Sequence, residues 1–334
     1  MRKTLLTAIA GLICVLLAVG CGSGAPPLTS PHAARSSQHA VSPSRSGPPP
    51  NFVFVLTDDL SWNLVSHMPH VMGLEKAGTR MTRYYVVDSL CCPSRSAIFT
   101  GEYPHDDGVY TNTGSDGGYA AYNANGDQSR SFAVALQKAG YRTAMMGKYL
   151  NGYQPKKNKP APGWNVWDVA GAGYNEFNYA LNQNGTLHHY GHKAKDYLTD
   201  VIASKATSFI GSSASSGKPF MLEVATFAPH RPYTPAPRYA KTDRNIAYPR
   251  TPAYNKLPVN PPSWLKGRRP LSAAEQRKIR YDYRLRVEAD LSVDNMIGNL
   301  EKELKAKGVA KNTYFVFSSD NGLHMGEYRL GPGK

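Results

Sequence analysis

Cysteine is scarce in this 334-residue chain, with four residues at positions 14, 21, 91 and 92. The first two fall in an N-terminal apolar segment and the others are adjacent, so a disulfide framework is excluded. Acidic residues are also few, 24 against 39 lysines and arginines, for a formal charge of +15. A surface of that sign attracts polyanions without selecting among them. No nucleic-acid-binding motif accompanies the charge, and no nucleic-acid partner is expected. After the N-terminal run there is no second hydrophobic span and no internal repeat. A hydrophobic content of 41% is nevertheless ample for a globular core.

The first fifty residues divide by composition. Met1-Arg2-Lys3 is a short basic region, Leu5 to Val19 is apolar, and Ala18-Val19-Gly20-Cys21 resembles a bacterial lipobox. Residues 1–20 are therefore expected to be a lipoprotein signal peptide, with Cys21 carrying the lipid that holds the protein on the outer side of a bacterial cell membrane. An uncleaved anchor is the alternative. Residues 21–50, rich in Pro, Ser and Gly, read as a flexible tether, and residues 51–334 as one globular domain.

Within that domain, strand and helix patterns alternate as in α/β proteins. Phe52 to Leu56 and Thr313 to Phe317 are continuous apolar runs typical of strands buried on both faces. Tyr141 to Met146 and Phe220 to Phe227 are further strands. Helices are expected over Pro69 to Ala77, Ser131 to Ala139, Asp196 to Ile210 and Ser272 to Lys307, with Gly140 and Gly308 as stop signals. The stretch from Pro229 to Pro270 carries too many breakers for regular structure and reads as a surface excursion beside the site.

Two of these strands end in oxygen donors, Thr57-Asp58-Asp59 and Ser319-Asp320-Asn321. Ligands bind at that edge of open parallel sheets. Asp58, Asp59, Asp320 and Asn321 form a hard ligand set suited to Ca²⁺ or Mg²⁺ rather than Zn²⁺. Between them lies Leu90-Cys91-Cys92-Pro93-Ser94-Arg95, continued through Thr100-Gly101. Pro93 suits the first turn of a helix, which places Cys91 just before a helix N-terminus, where anions are stabilised. Arg95 adds a permanently charged donor for an anionic oxygen.

The stretch spells L-C-x-P-S-R-x-x-x-x-T-G and resembles the signature of type I, formylglycine-dependent sulfatases. Further blocks in order, Gly147-Lys148-Tyr149-Leu150-Asn151, Ala228-Pro229-His230, Leu291-Ser292-Val293-Asp294 and Ser319 to His324, are similar to the N-acetylglucosamine-6-sulfatase branch. The resemblance implies an alkaline-phosphatase-like α/β core, a mostly parallel sheet flanked by helices, and hydrolysis of a sulfate ester on a carbohydrate. It implies that a formylglycine-generating enzyme converts Cys91 to 3-oxoalanine, and that Asp58, Asp59, Cys91, Asp320 and Asn321 hold one divalent cation. Arg95, Lys148, His230 and Lys334 complete the implied set: Lys148 and Lys334 bind sulfate, and His230 binds sulfate and protonates the leaving alcohol. The aldehyde hydrate attacks sulfur, and its second hydroxyl then expels sulfate by elimination.

Two departures stand out. A histidine that many sulfatases carry two residues after the first lysine is replaced by Leu150, which leaves His324 as a candidate to hold the formylglycine hydroxyl. The chain also stops where family members continue into a smaller C-terminal subdomain, so it reads as truncated. Lys334, as the final residue with no following strand, is then expected to fray and to contribute little. Alternatives are a phosphodiesterase or phosphonate monoester hydrolase of the same superfamily, and an inactive lipid-anchored glycan-binding fragment.

Overall fold

The computed structural model describes residues 47–242 and 245–334. The signal segment, the lipobox with Cys21, and nearly all of the tether lie outside the described residues. Seven strands form one sheet: β1 (Asn51–Thr57), β2 (Arg142–Lys148), β3 (Val166–Ala170), β4 (Tyr179–Gln183), β5 (Thr186–Tyr190), β6 (Phe220–Ala225) and β7 (Thr313–Ser319). Their order is β5-β4-β3-β2-β6-β1-β7. β7, β1, β6, β2 and β3 run parallel, whereas β4 and β5 are antiparallel.

The helices are α1 (Pro69–Ala77), α2 (Cys91–Thr100), α3 (Pro104–Asp107), α4 (Gly118–Ala124), α5 (Phe132–Lys138), α6 (Leu198–Ser215), α7 (Ser263–Lys266) and α8 (Ala273–Ala306). On one face of the sheet, Val53, Val55, Leu222 and Val224 pack against Val71 of α1, Ile202 and Phe209 of α6, and Val293 and Ile297 of α8. On the other, Leu56, Met145 and Trp167 meet Cys92 and Phe99 of α2, Tyr122 of α4 and Ala133 of α5. Alternate side chains of β1 thus feed two cores, which explains why its sequence is a continuous apolar run. Each fully buried Val or Leu here contributes roughly 1.5–3 kcal/mol.

The α/β architecture with a mostly parallel sheet stands as expected from the sequence. The long helix starts after Ser272, whose hydroxyl accepts from the Glu275 N–H while Glu275 accepts from the Ser272 N–H and hydroxyl. That reciprocal pair is a capping box. The β4–β5 hairpin is an addition. Asn184 and Gly185 turn it with φ of 50° and 95°, the left-handed pair that matches strand twist in a two-residue hairpin. Among the described residues, no helix is long and apolar enough to cross a membrane.

Candidate active site

The carboxyl edge of the sheet gathers the site. β1 releases Asp58 and Asp59, β7 releases Asp320 and Asn321, β2 ends in Lys148, and the chain after β6 carries His230. Gly147 makes the last step of β2 possible. Its φ is +97°, and a Cβ there would lie 1.9 Å from the Ala225 carbonyl oxygen of the neighbouring strand.

Helix α2 delivers the signature residues. It begins at Cys91 itself, one residue earlier than the proline suggested, with Leu90 as the extended N-cap. Pro93 still lies in the first turn, where an N–H has no intrahelical acceptor. Ser94 Oγ donates to the Asp320 carbonyl at 2.5 Å, Thr100 Oγ1 donates to the Ser96 carbonyl at 2.9 Å, and Gly101 closes the helix with φ of 74°. Ser94, Thr100 and Gly101 of the motif therefore each have a structural task. The two cysteines part company: Cys92 is buried among the aromatic residues beneath the sheet edge, whereas Cys91 faces the carboxylates.

Cys91 Sγ lies 3.3 Å from Asp58 Oδ1 and 3.9 Å from Asp59 Oδ1. Lys334 Nζ is 2.7 Å from the same sulfur and also bonds Asp59 Oδ1. Lys148 Nζ sits 2.5 Å from Asp58 Oδ2 and 3.9 Å from Asp320 Oδ2. Arg95 is wholly buried; its Nε meets Asp320 Oδ2 at 2.8 Å and its Nη1 donates to the Lys148 carbonyl at 3.0 Å. His230 Nε2 is 3.6 Å from Asp59 Oδ2. The structure thus brings together Asp58, Asp59, Cys91, Arg95, Lys148, His230, Asp320, Asn321 and Lys334.

Lys334 does not behave as its position in the sequence suggested. The His324 N–H donates to the Gly333 carbonyl at 2.9 Å and the Gly333 N–H donates back at 3.1 Å, so a two-bond ladder fixes the residue before it. His324 takes part through its backbone, with its ring beside Gly333. Leu150, at the position where many sulfatases place a histidine, is buried in the aromatic cluster.

Burial dominates the electrostatics. It pushes the Cys91 thiol up to about 12, against the pull of Lys148, so the unmodified thiol is not a thiolate at neutral pH. Burial also acts against the Asp320 carboxylate, but Arg95 and Lys148 outweigh it and hold that group down to about 2. For Lys148, burial opposes the charge and Asp58 overcomes it, keeping the ammonium protonated. Three carboxylates, Asp58, Asp59 and Asp320, are matched by three cations, Arg95, Lys148 and Lys334.

The donor set fits a hard divalent cation. One ligand atom each from Asp58, Asp59, Cys91 and His230 falls within 4.8 Å of the others. Asn321 Nδ2 donates to Asp59 Oδ1 at 2.7 Å, while its buried Oδ1 has no partner. A buried, unpartnered amide oxygen beside converging carboxylates suits such an ion. His230, expected only at the sulfate, also falls within this cluster.

Three residues at or beneath the site were not singled out in the sequence. The Tyr174 ring lies 4.6 Å from the His230 ring and 5.4 Å from Lys148 Nζ, centroid distances that let it hold one and face the other. Arg286 of α8 donates to the Asp59 carbonyl. Glu223, in the central strand β6, is fully buried with neither oxygen partnered. For Glu223 a signal existed, an acid inside the apolar run FMLEVATF; for Tyr174 and Arg286 only the fold supplies the proximity.

This constellation of a helix-start cysteine, strand-end carboxylates and buried cations defines a sulfatase-like centre. Residues 50–334 match the sulfatase family, and the chain belongs to it. It is 34% identical over 294 residues to the human N-acetylglucosamine-6-sulfatase, covering 84% of this chain and 52% of that protein. It is also 34% identical over 292 residues to an extracellular sulfatase SULF-1 homolog of Drosophila melanogaster, covering 85% of this chain and 26% of that one. The chain thus spans about half, or less, of these relatives. A protein solved with its substrate D-glucosamine-2-N,6-O-disulfate superposes with a TM-score of 0.69 at 25% identity, covering 84% of this chain and 67% of that one.

Proposed function

We propose that the protein hydrolyses sulfate esters of a carbohydrate, preferentially at a 6-O-sulfated glucosamine. The observation that carries this reading is the convergence of Cys91 Sγ, Lys334 Nζ and the carboxylates of Asp58 and Asp59 at the start of α2. The name of the human relative and the doubly sulfated glucosamine bound by the structural neighbour support the substrate class.

In this reading Cys91 is converted to formylglycine, whose aldehyde oxygen takes the place of the sulfur. Asp58, Asp59, Asp320, Asn321 and residue 91 hold Ca²⁺ or Mg²⁺, which supplies Lewis-acid stabilisation of sulfate charge. Arg95 fixes Asp320 and the Lys148 carbonyl, so the cation ligands and the lysine move as one body. With the three carboxylates already matched by three cationic side chains, a divalent ion leaves the site net positive and complementary to a sulfate group. Lys148 and Lys334 bind its oxygens. His230, half-buried and packed at a tilt against the Tyr174 ring, delivers a proton to the departing alcohol. Cys21, within a lipobox, anchors the chain to the outer side of the membrane; a Cys21→Ser variant released from membranes is the expected outcome.

The test has two readouts. Peptide mass mapping of protein from its native host is expected to show residue 91 as the aldehyde and Cys92 as a thiol. Sulfate release from 6-sulfated N-acetylglucosamine is expected to need the divalent cation. A phosphonate monoester hydrolase from Silicibacter pomeroyi shares the fold at a TM-score of 0.61 and 18% identity, so phosphonate monoesters belong in the same assay. Turnover of those in preference to sulfate esters overturns the reading.

A further inference from the structure

Asp59 adopts φ of 64°, a left-handed conformation that costs a non-glycine residue of order 1–3 kcal/mol unless the surroundings impose it. Its N–H donates to Asp320 Oδ1 at 3.1 Å. Its carbonyl accepts from Arg286 Nη2. The backbone of this residue is therefore gripped on both sides, once by another strand end and once by helix α8.

Arg286 is fully buried and poorly compensated for a guanidinium. Its Nη1 finds only the Met325 sulfur at 3.2 Å, and its Nε has no partner. Asp290, one turn on and equally buried, leaves both carboxylate oxygens unpartnered. Holding a buried charge on a single carbonyl is expensive if the only gain is stability. The same guanidinium lies 5.9 Å from the Tyr233 ring. Tyr233, also left-handed at φ of 64°, donates its N–H to the His230 carbonyl at 3.0 Å. One side chain thus touches the loop that presents Asp59 and the turn that presents His230.

Helix α8 grips the same segment elsewhere. Tyr283 Oη bonds the Asn63 carbonyl at 3.3 Å, and the Asp294 carboxylate accepts from the His70 and Val71 N–H groups at 2.9 and 3.0 Å. Tyr283, Arg286, Asp290 and Asp294 follow helical spacing and share a face.

We propose that Arg286 is a positioning residue that sets Asp59 and His230 in register with one another, with Asp290 as its charge-balancing neighbour. The inference rests on reading Asp59 as a cation ligand. Arginine suits the task because its planar fork can engage a carbonyl and an aromatic face together, whereas a lysine ammonium offers one point charge.

The experiment measures Ca²⁺ binding by calorimetry on the full chain, alongside thermal unfolding in a chelator. Arg286→Met/Asp290→Leu removes both buried charges together and is expected to unfold at or above the native temperature. It is nevertheless expected to bind Ca²⁺ roughly 10-fold more weakly, because the loop then samples other backbone states. Arg286→Lys, which keeps a donor and the charge, is expected to lie between the two. Where the double variant does not fold, Arg286→Lys with native affinity overturns the proposal. Native affinity in the folded double variant also overturns it. A wild-type chain that binds no divalent cation sinks the proposed cation site and this inference together, which separates that failure from the previous ones.

Discussion

Replacing Glu223 with leucine should make the protein more stable, and by an amount that depends on pH in a defined direction. The carboxyl sits in β6, between β1 and β2, with Phe54 and Met145 as its strand neighbours and no hydrogen-bond partner on either oxygen. Burial pushes its pKa up from an ordinary 4.5 to about 8, with Arg95 pulling the other way. In the unfolded chain the group releases its proton near the ordinary value, while the folded chain keeps it to the higher one. Between those values the native state binds more protons, so its stability falls as pH rises, by about 1.4 kcal/mol per unit. From about pH 5 to about pH 8 the loss sums to roughly 4 kcal/mol, and it is absent below the window. Urea unfolding of wild type and Glu223→Leu across that range isolates the residue, since Glu176, pushed up to about 7 by its own burial, contributes equally to both. The variant's advantage should be small at the acid end and grow steadily toward the alkaline end. Parallel stability curves for the two proteins would refute the argument, because a partnered or solvated Glu223 has no such slope.

Three further outcomes follow from the site. Cys91→Ala should abolish sulfate release, whereas Cys92→Ala should leave an aldehyde at residue 91 and cost only the roughly 1 kcal/mol of a small buried side chain, checked by mass mapping and thermal unfolding. In a chelator, Lys148→Met should destabilise the fold by about 3 kcal/mol, because Asp58 loses the ammonium 2.5 Å away and stays buried; added Ca²⁺ should restore part of that loss in the same melting experiment. Lys334→Met should lower kcat about 100-fold with KM changing less, measured on 6-sulfated N-acetylglucosamine, because its Nζ faces the sulfur of residue 91 rather than distant parts of a substrate.

The elements legible in the sequence are those governed by local chemistry. The start of α8 was readable because Ser272 and Glu275 form a cap that needs nothing beyond four residues. β1 was readable because burial on both faces leaves an unbroken apolar run, whereas β7, equally apolar and expected to be buried on both faces, lies at the edge of the sheet with Tyr314 and Val316 exposed. β3 escaped notice because Asp168 interrupts its run, an acid the fold tolerates by pairing it with Lys205 at 3.0 Å. The β4–β5 hairpin had a usable signal in Asn184-Gly185, but Asn182, His188 and His189 gave its strands too polar a composition to stand out. The site residues followed the same division. Asp58, Asp59, Asp320 and Cys91 are readable because motif and strand end coincide, while Tyr174 and Arg286 reach the site from segments whose sequence has no reason to mark them.

Lys334 shows where one-dimensional reasoning about the site breaks down. Counting along the chain, Lys334 stands well beyond the end of β7, and a long flexible side chain loses its orientation to conformational entropy unless its backbone is held. In space, the residue before it is held by two backbone hydrogen bonds to His324, and His324 follows Asp320 and Asn321 after a short turn. The ammonium is therefore tethered to the end of strand β7, which also supplies Asp320 and Asn321. Its two partners, the Cys91 sulfur and the Asp59 carboxylate, come from helix α2 and strand β1, so three separate segments meet at one nitrogen. Burial opposes that charge, yet Cys91 and Asp59 raise its pKa to about 12. A proton held that firmly fixes the group as a donor throughout the neutral range, which is what binding a sulfate oxygen requires.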